Sequence, residues 1–90
     1  MIRAFNTNHV KAVVKDLLGA DHYVHSDGAT IVINTGSGAV GKANAERVAA
    51  ACKFPTEINT SKRLGSVAQI EEWEAAGVDI DYYVSFNRPG

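Results

Sequence analysis

Apolar and polar side chains alternate through the segment VDIDYYVSF, residues 78–86, and no other feature constrains the fold as strongly. A period of two sends successive side chains to opposite faces of a β-strand. Such a strand belongs in a sheet that is covered on one face and wet on the other. We expect the following division of side chains: Ile80, Tyr82 and Val84 buried, and Asp79, Asp81 and Tyr83 exposed.

Apolar residues at helical spacing predict the first element that covers this sheet. Thr7 or Asn8 offers a side-chain oxygen as the N-cap, and Gly19 tolerates the left-handed backbone that ends a helix. Between them runs a stripe with the spacing i, i+3, i+4, i+7, i+8, which is typical of an amphipathic helix. Its members are Val10, Val13, Val14, Leu17 and Leu18.

Two more helices are predicted further along the chain. One spans about residues 43–53 and ends before Phe54-Pro55, because the residue before a proline resists helical geometry. Its inner stripe consists of Ala45, Val48, Ala49 and Cys52. The other begins at the capping box Ser66-x-x-Gln69 and runs to Gly77.

A hairpin is predicted around Asp27-Gly28, because this dipeptide between two β-prone runs is a strong turn motif. A two-residue turn centred there would place Val24 opposite Ile31 and His25 opposite Thr30. One face of the hairpin would carry Val24, Ala29, Ile31 and Ile33 toward the core. The other would carry Tyr23, His25, Thr30, Val32 and Asn34.

These elements predict an α+β fold in one domain, residues 1–90. With short strands at "MIRAF" and "TEINT", the order is (β)αββαβαβ. Strands with one apolar face require helices on one side only. We expect a two-layer α/β sandwich with a mostly antiparallel sheet of four to five strands. The first six elements resemble the βαββαβ layout of ferredoxin-like folds, a resemblance that implies no function.

Bulk composition narrows the functional classes. The chain has 90 residues, 46% hydrophobic and 21% charged, with a net charge of −1. A net charge near zero argues against direct nucleic-acid binding, which usually depends on a basic excess. A single cysteine, Cys52, excludes an internal disulfide, and no leader or membrane-spanning run is recognisable. We expect a cytoplasmic protein with no membrane association.

A phosphate-binding motif is suggested by Gly36-x-x-x-x-Gly41-Lys42, the skeleton of a P-loop. A working P-loop follows Lys with a Ser or Thr that binds magnesium, but here Ala43 follows. We therefore interpret the match as accidental. A weak anion seat at the start of the helix remains as a hypothesis, and it would use Gly36, Gly38, Gly41 and Lys42.

Other chemistry-bearing residues form no recognisable site. His22 and His25 are three apart, so a strand would point them to opposite faces and not toward one metal. Cys52 lies on an apolar stripe, where a free cysteine is usually an inert small side chain. We assign no catalytic residue, metal or cofactor, and we expect a protein that is not an enzyme.

The C-terminal quarter of the chain is acidic. Residues 66–90 contain Arg88 against five acids, whereas residues 1–65 contain eight Lys or Arg against five acids. Tyrosines among carboxylates suit a protein partner with a basic surface. The predicted partner-binding residues are Tyr23, His25, Glu71, Glu72, Glu74, Asp79, Asp81 and Tyr83. A face that is merely solvated is the alternative.

Three functional classes follow from the sequence. The first is a non-catalytic protein-binding module, an inhibitor of a larger nucleic-acid-handling complex with a basic surface. In size and in its lack of catalytic motifs, the chain resembles small phage proteins, anti-CRISPR inhibitors among them. The second is a nucleotide or nucleic-acid binder that uses the 36–42 loop or Lys62-Arg63. The third is a small enzyme with an unrecognised site. A homodimer is compatible with each class.

Overall fold

The computed structural model describes residues 1–60, 72 and 80–90. Within this part of the chain, two helices and four strands follow one another in the order α1, β1, β2, α2, β3, β4. Their bounds are Thr7–Leu18, Val24–Ser26, Thr30–Ser37, Gly38–Ala50, Glu57–Thr60 and Asp81–Asn87. The predicted helix over 66–77 lies outside the described residues, except that Glu72 is helical.

The four strands form one antiparallel sheet with the spatial order β1-β2-β4-β3. Both β2 and β3 run antiparallel to β4, so they are parallel to each other with β4 between them. Helix α2 makes the crossover between β2 and β3 and packs on β2 and β4, while α1 packs against β1 and α2. The fold is the predicted two-layer α+β sandwich, with a four-stranded sheet and both described helices on one face.

The core lies between the helices and the inner face of the sheet. Its fully or almost fully buried members include Ile2, Val10, Val14, Val24, Ile31, Ile33, Ala45, Val48, Ile80, Tyr82, Val84 and Phe86. The alternation in β4 is confirmed, because Ile80, Tyr82 and Val84 are at most 3% exposed. Asp81 and Tyr83 face the other way but are half-buried. Tyr83 lies between Asn34 of β2 and Asn59 of β3, so neighbouring side chains partly screen it, whereas Asp81 pairs with Ser37 at the end of β2.

The "MIRAF" segment is not a strand. Ile2 makes a single parallel bridge to Cys52, just after α2. Its amide donates to the Ala51 carbonyl at 2.7 Å, and its own carbonyl accepts from the Lys53 amide at 2.9 Å. Asn6 is already the N-cap of α1, so the few residues between Ile2 and Asn6 form no further strand pairing. The ferredoxin-like layout therefore lacks its first strand.

The predicted register of the hairpin was wrong by two residues. Val24 pairs with Ile33 and His25 with Val32, so the central turn residues are Gly28 and Ala29. A type I′ or II′ turn centred on Asp27-Gly28 would need positive φ at Asp27, but only Gly28 has it, at 94°. Asp27 instead accepts from the amides of Ala29 and Thr30 through its carboxylate, and these hydrogen bonds lower the pKa of that carboxyl.

A shift of two residues keeps each side chain on its predicted face. Val24, Ile31 and Ile33 are buried as expected, whereas Ala29, now in the turn, is exposed. Tyr23 and His25 remain on the outer face. The error in pairing therefore did not alter the assignment of the core.

Both helices begin earlier than predicted. The N-cap of α1 is Asn6, whose side chain accepts from the His9 amide, and Gly19 ends the helix at φ 77° as expected. Helix α2 begins at Gly38 and not near residue 43. The stripe Ala45, Val48 marks its inner face correctly. Its first turn was missed because glycine is a poor helix former in isolation.

Thr35 is the one polar side chain among the fully buried residues that the structure describes. Its hydroxyl lies 3.0 Å from the Gly41 carbonyl and 3.1 Å from the Tyr82 carbonyl, and donates toward them. The side-chain amide of Asn44 in turn donates to the Thr35 carbonyl at 3.2 Å. Thr35 thus ties β2 to both α2 and β4.

Replacing this hydroxyl should weaken the fold. Thr35→Val keeps the shape of the side chain but removes the buried donor, so we expect the free energy of unfolding to fall by about 1–3 kcal/mol. Thr30→Val is the matched control in the same strand, because its hydroxyl bonds Asn87 at an exposed position; we expect a change within about 0.5 kcal/mol. Urea denaturation measures both, and equal effects would contradict a special role for Thr35.

Candidate functional site

The glycine motif does not form an open loop. Strand β2 ends at Ser37 and α2 begins at Gly38, so no residue separates strand from helix. The Gly36 amide donates to the side chain of Asn34 at 2.8 Å, and the Gly38 amide donates to the Ile80 carbonyl at 3.1 Å. Two of the amides that an anion seat would use are therefore engaged within the chain. Lys42 is exposed on the second turn of the helix.

Close packing explains why glycines stand here. Gly36 and Gly38 have positive φ, at 106° and 65°. Gly41 is buried, and a Cβ atom built on it would collide with the Gly36 carbonyl group. The first turn of α2 thus crosses the end of β2 backbone to backbone. Only glycine permits this approach, whatever else the motif resembles.

Gly41→Ala should therefore destabilise the protein, although alanine is the better helix former. If the site were open, helix propensity alone would add about 1 kcal/mol of stability. Because the new Cβ meets a backbone carbonyl, we expect a loss of at least about 2 kcal/mol. The control Ala43→Gly, at an exposed position of the same helix, should lose about 1 kcal/mol. A more stable Gly41→Ala variant in urea denaturation would refute the close approach.

Lys42→Ala tests the anion hypothesis separately. If the P-loop likeness is accidental, this exposed substitution should change the free energy of unfolding by less than about 0.5 kcal/mol. Amide chemical shifts of residues 36–44 should not respond to ATP or phosphate in either protein. Shifts in the wild type that disappear in Lys42→Ala would restore the anion seat.

The outer face of the sheet brings together four of the predicted partner-binding residues. His25 belongs to β1, at one edge of the described sheet, and Tyr23 directly precedes that strand. Asp81 and Tyr83 belong to the central strand β4. Neither described helix covers this face. The register aligns His25, Val32, Ser85 and Glu57 in one row across the sheet, and Tyr23, Asn34, Tyr83 and Asn59 in the next. With strands about 4.8 Å apart, each row is about 14 Å long.

Aromatic area on this face is concentrated at the β1 edge and in its middle. Tyr23 is 68% exposed. Its ring is nearly parallel to that of His25, with an interplanar angle of 5° and centroids 6.3 Å apart. Tyr83 is half-buried on β4, so part of the residue is accessible to solvent. Such amphipathic rings are enriched where proteins bind each other.

The charge of the outer face is acidic. Among the described residues of β1 to β4 that point outward, Glu57 and Asp81 are carboxylates, and none is Lys or Arg. The helical layer differs, with Lys11, Lys15, Lys42 and Arg47 against Asp16 and Glu46. Among the described residues, α1 and α2 together therefore carry a positive net charge, and the outer face of the sheet carries a negative one.

Not all the predicted acidic residues can be placed. Glu72 is helical and exposed, while Glu71, Glu74 and Asp79 lie outside the described residues, as does Lys62-Arg63. Glu57 was missed as a member of this face. The alternation of Glu57, Ile58 and Asn59 indicated it, because the polar neighbours of an apolar strand residue point to the opposite face. In the structure Ile58 pairs with Val84 and is 41% exposed. The pairing of β3 with β4 brings Glu57 beside Ser85, and no local sequence pattern predicts this pairing.

The remaining nucleophile and histidines do not converge. Burial raises the pKa of the Cys52 thiol, an effect that the Phe54 amide partly offsets, so little reactive thiolate is present near neutral pH. His22 bonds the Asn34 carbonyl at 3.1 Å, and the His9 ring accepts from the Arg3 amide. Within the described ranges, no three His, Cys, Asp or Glu side chains are grouped as metal ligands would be.

A shallow open depression lies beside the β1 edge of the sheet. Its volume is about 320 Å³, and it is lined by Lys11, Asp21, His22, Tyr23 and Val24. Lys15 forms an ion pair with Asp21 at 3.7 Å nearby. None of the lining groups is arranged as a nucleophile with its base, so the depression is a feature of the surface and carries no catalytic constellation.

No helix in residues 1–60, 72 and 80–90 combines the length and the apolar character needed to cross a bilayer. No protein-family profile, no curated protein sequence and no solved structure matches this chain. The geometry of the outer sheet face is therefore the basis for a functional proposal.

Proposed function

We propose that this chain is a non-catalytic protein-binding module whose acidic outer sheet face binds a basic surface of a larger nucleic-acid-handling complex. In this role it would act as a small inhibitor, comparable in kind to the anti-CRISPR proteins of phage. One observation carries the proposal: Glu57, Asp81, Tyr83 and the Tyr23–His25 ring pair share one face without a described Lys or Arg.

Shape supports a macromolecular partner over a small ligand. The face is a sheet surface about 14 Å across, estimated from the strand spacing, and small-molecule sites are usually concave. Large proteins meet over such surfaces through amphipathic rings surrounded by polar groups. Tyr83 at the centre and Tyr23 at the edge provide rings, and Asn34, Asn59 and Ser85 provide hydrogen-bonding groups around them.

Charge supports a basic partner. Two carboxylates on the outer face attract Lys and Arg side chains and repel a phosphate backbone. A partner that normally binds nucleic acid presents such a basic surface. By covering it, the chain would exclude the nucleic acid without any chemical step. No catalytic residue is then required, and none is assigned.

The test begins with capture of the partner from the native host, followed by binding kinetics with the purified partner at low and physiological salt. The double variant Glu57→Lys/Asp81→Asn should slow association, because steering by charge raises association rates and is screened by salt. The matched control Asp16→Asn/Glu46→Lys makes the same charge change at exposed positions of the helical layer. It should leave the association rate near that of the wild type.

Tyr83 distinguishes contact from steering in the same experiment. Tyr83→Ala should mainly speed dissociation, since it removes contact area in the middle of the face, and Tyr83→Phe should retain most of the affinity. Equal slowing by both double variants would mean that only net charge matters. An unchanged association rate at low salt in Glu57→Lys/Asp81→Asn would leave the face as a solvated surface.

A further inference from the structure

Among the described strands, β1 forms one edge of the sheet. The Asn34 amide donates to the Tyr23 carbonyl at 2.9 Å, and the Asp27 amide to the Thr30 carbonyl at 3.2 Å. In an antiparallel ladder, alternate residues point their backbone groups toward the neighbouring strand. The backbone N–H and C=O groups of Tyr23, His25 and Asp27 therefore point toward β2. Those of Val24 and Ser26 point away from β2, in the plane of the sheet. In the described part of the chain, no strand pairs with that side of β1.

Apart from its short length of three residues, this edge lacks the side-chain features that usually prevent pairing. Natural edge strands are blocked by proline, lysine, bulges or exposed charge. The segment HYVHS, residues 22–26, contains no proline, lysine or carboxylate. At the opposite edge, β3 carries the exposed carboxylate of Glu57. An open depression of about 320 Å³ lies beside the start of β1, between Lys11 of α1 and residues 21–24.

We propose that a second copy of this chain pairs with β1 in antiparallel fashion, about a two-fold axis at Val24. In this register the two Val24 residues exchange both backbone hydrogen bonds, and His22 pairs with Ser26 of the other copy. Tyr23 then lies opposite the other copy's His25 at a non-hydrogen-bonded position, where side chains are closest. The Tyr23–His25 ring pair of each copy continues into that of the other.

Other registers match less well. A shift of one residue places the unpaired backbone groups of one copy opposite residues of the other copy whose backbone groups already bond β2. A shift of two residues sets either Tyr23 or His25 against its own counterpart and leaves the remaining ring opposite Asp21 or Asp27. The register centred on Val24 alone keeps both Tyr–His pairs across the axis. The sequence of the edge is in this sense complementary to itself, which favours a second copy as the occupant.

Charge does not oppose this association. Each copy has a net charge of −1, so two copies repel each other weakly. The carboxylates beyond the strand ends are already engaged, Asp21 by Lys15 at 3.7 Å and Asp27 by the amides of Ala29 and Thr30. A three-residue strand makes a small interface, so we expect a dimer that depends on protein concentration. It would join two four-stranded sheets and double the acidic outer face.

Sedimentation velocity of the full chain over a range of concentrations tests the proposal. The wild type should shift from monomer to dimer as concentration rises. Tyr23→Lys, a charge at an exposed edge position, should remain monomeric. Asn59→Lys, the same kind of charge at an exposed position of the opposite edge strand, should dimerise like the wild type. A wild type that is monomeric throughout, or a Tyr23→Lys variant that still dimerises, would overturn the proposal.

Amide hydrogen exchange of the wild type locates the interface without any substitution. The amides of Val24 and Ser26 should exchange more slowly as concentration rises, in proportion to the dimer fraction, while the amides of β3 should not change. A dimer with unchanged exchange at Val24 and Ser26 would place the interface elsewhere and reject the β1 pairing. This outcome is independent of the partner proposed above, because no other protein is present.

Discussion

The close approach of α2 to the end of β2 positions the rest of the fold. The backbone of Gly41 lies against the Gly36 carbonyl, at a distance that leaves no room for a side chain. The Thr35 hydroxyl, buried beside this contact, reaches the carbonyls of Gly41 and Tyr82 and so connects helix, β2 and β4. Because α2 is fixed on the inner side in this way, the outer side of the sheet is left to Tyr83, Asp81 and their neighbours.

Strand β4 is the second determinant, because it is inserted between two strands that precede it in the chain. It pairs with β2 on one side and β3 on the other, and its inner residues Tyr82, Val84 and Phe86 are at most 3% exposed. Phe86 also stacks on Phe54 at 5.3 Å and meets the edge of Phe5 at 5.8 Å. The central strand thus ties the N-terminal segment and the end of α2 into one core. The same position half-buries Tyr83 at the centre of the proposed binding face, and Asp81 lies at one end of that face beside Ser37.

The glycine motif shows how one sequence pattern has two physical explanations. Gly-x-x-x-x-Gly-Lys spacing resembles a phosphate loop because such a loop also needs positive φ and close backbone approach. Here the same properties serve the packing of a helix on a strand, and the amides of Gly36 and Gly38 are bonded within the chain. The distinction lies in where the amide groups point, which a linear pattern does not encode.

The sequence by itself determined which face the residues of β1, β4 and most of β2 occupy, and where α1 lies. Side-chain alternation and the helical stripe are local properties, and a two-residue slip in the hairpin does not change them. For this reason Ile80, Tyr82 and Val84 were predicted inside and Tyr23, His25 and Tyr83 were predicted on one outer face. Tertiary structure alone decided the strand order, the start of α2 at Gly38, the bridge of Ile2 to Cys52, and the place of Glu57 beside Ser85. Each of these depends on a contact between segments distant in the chain, for which local propensity carries no information.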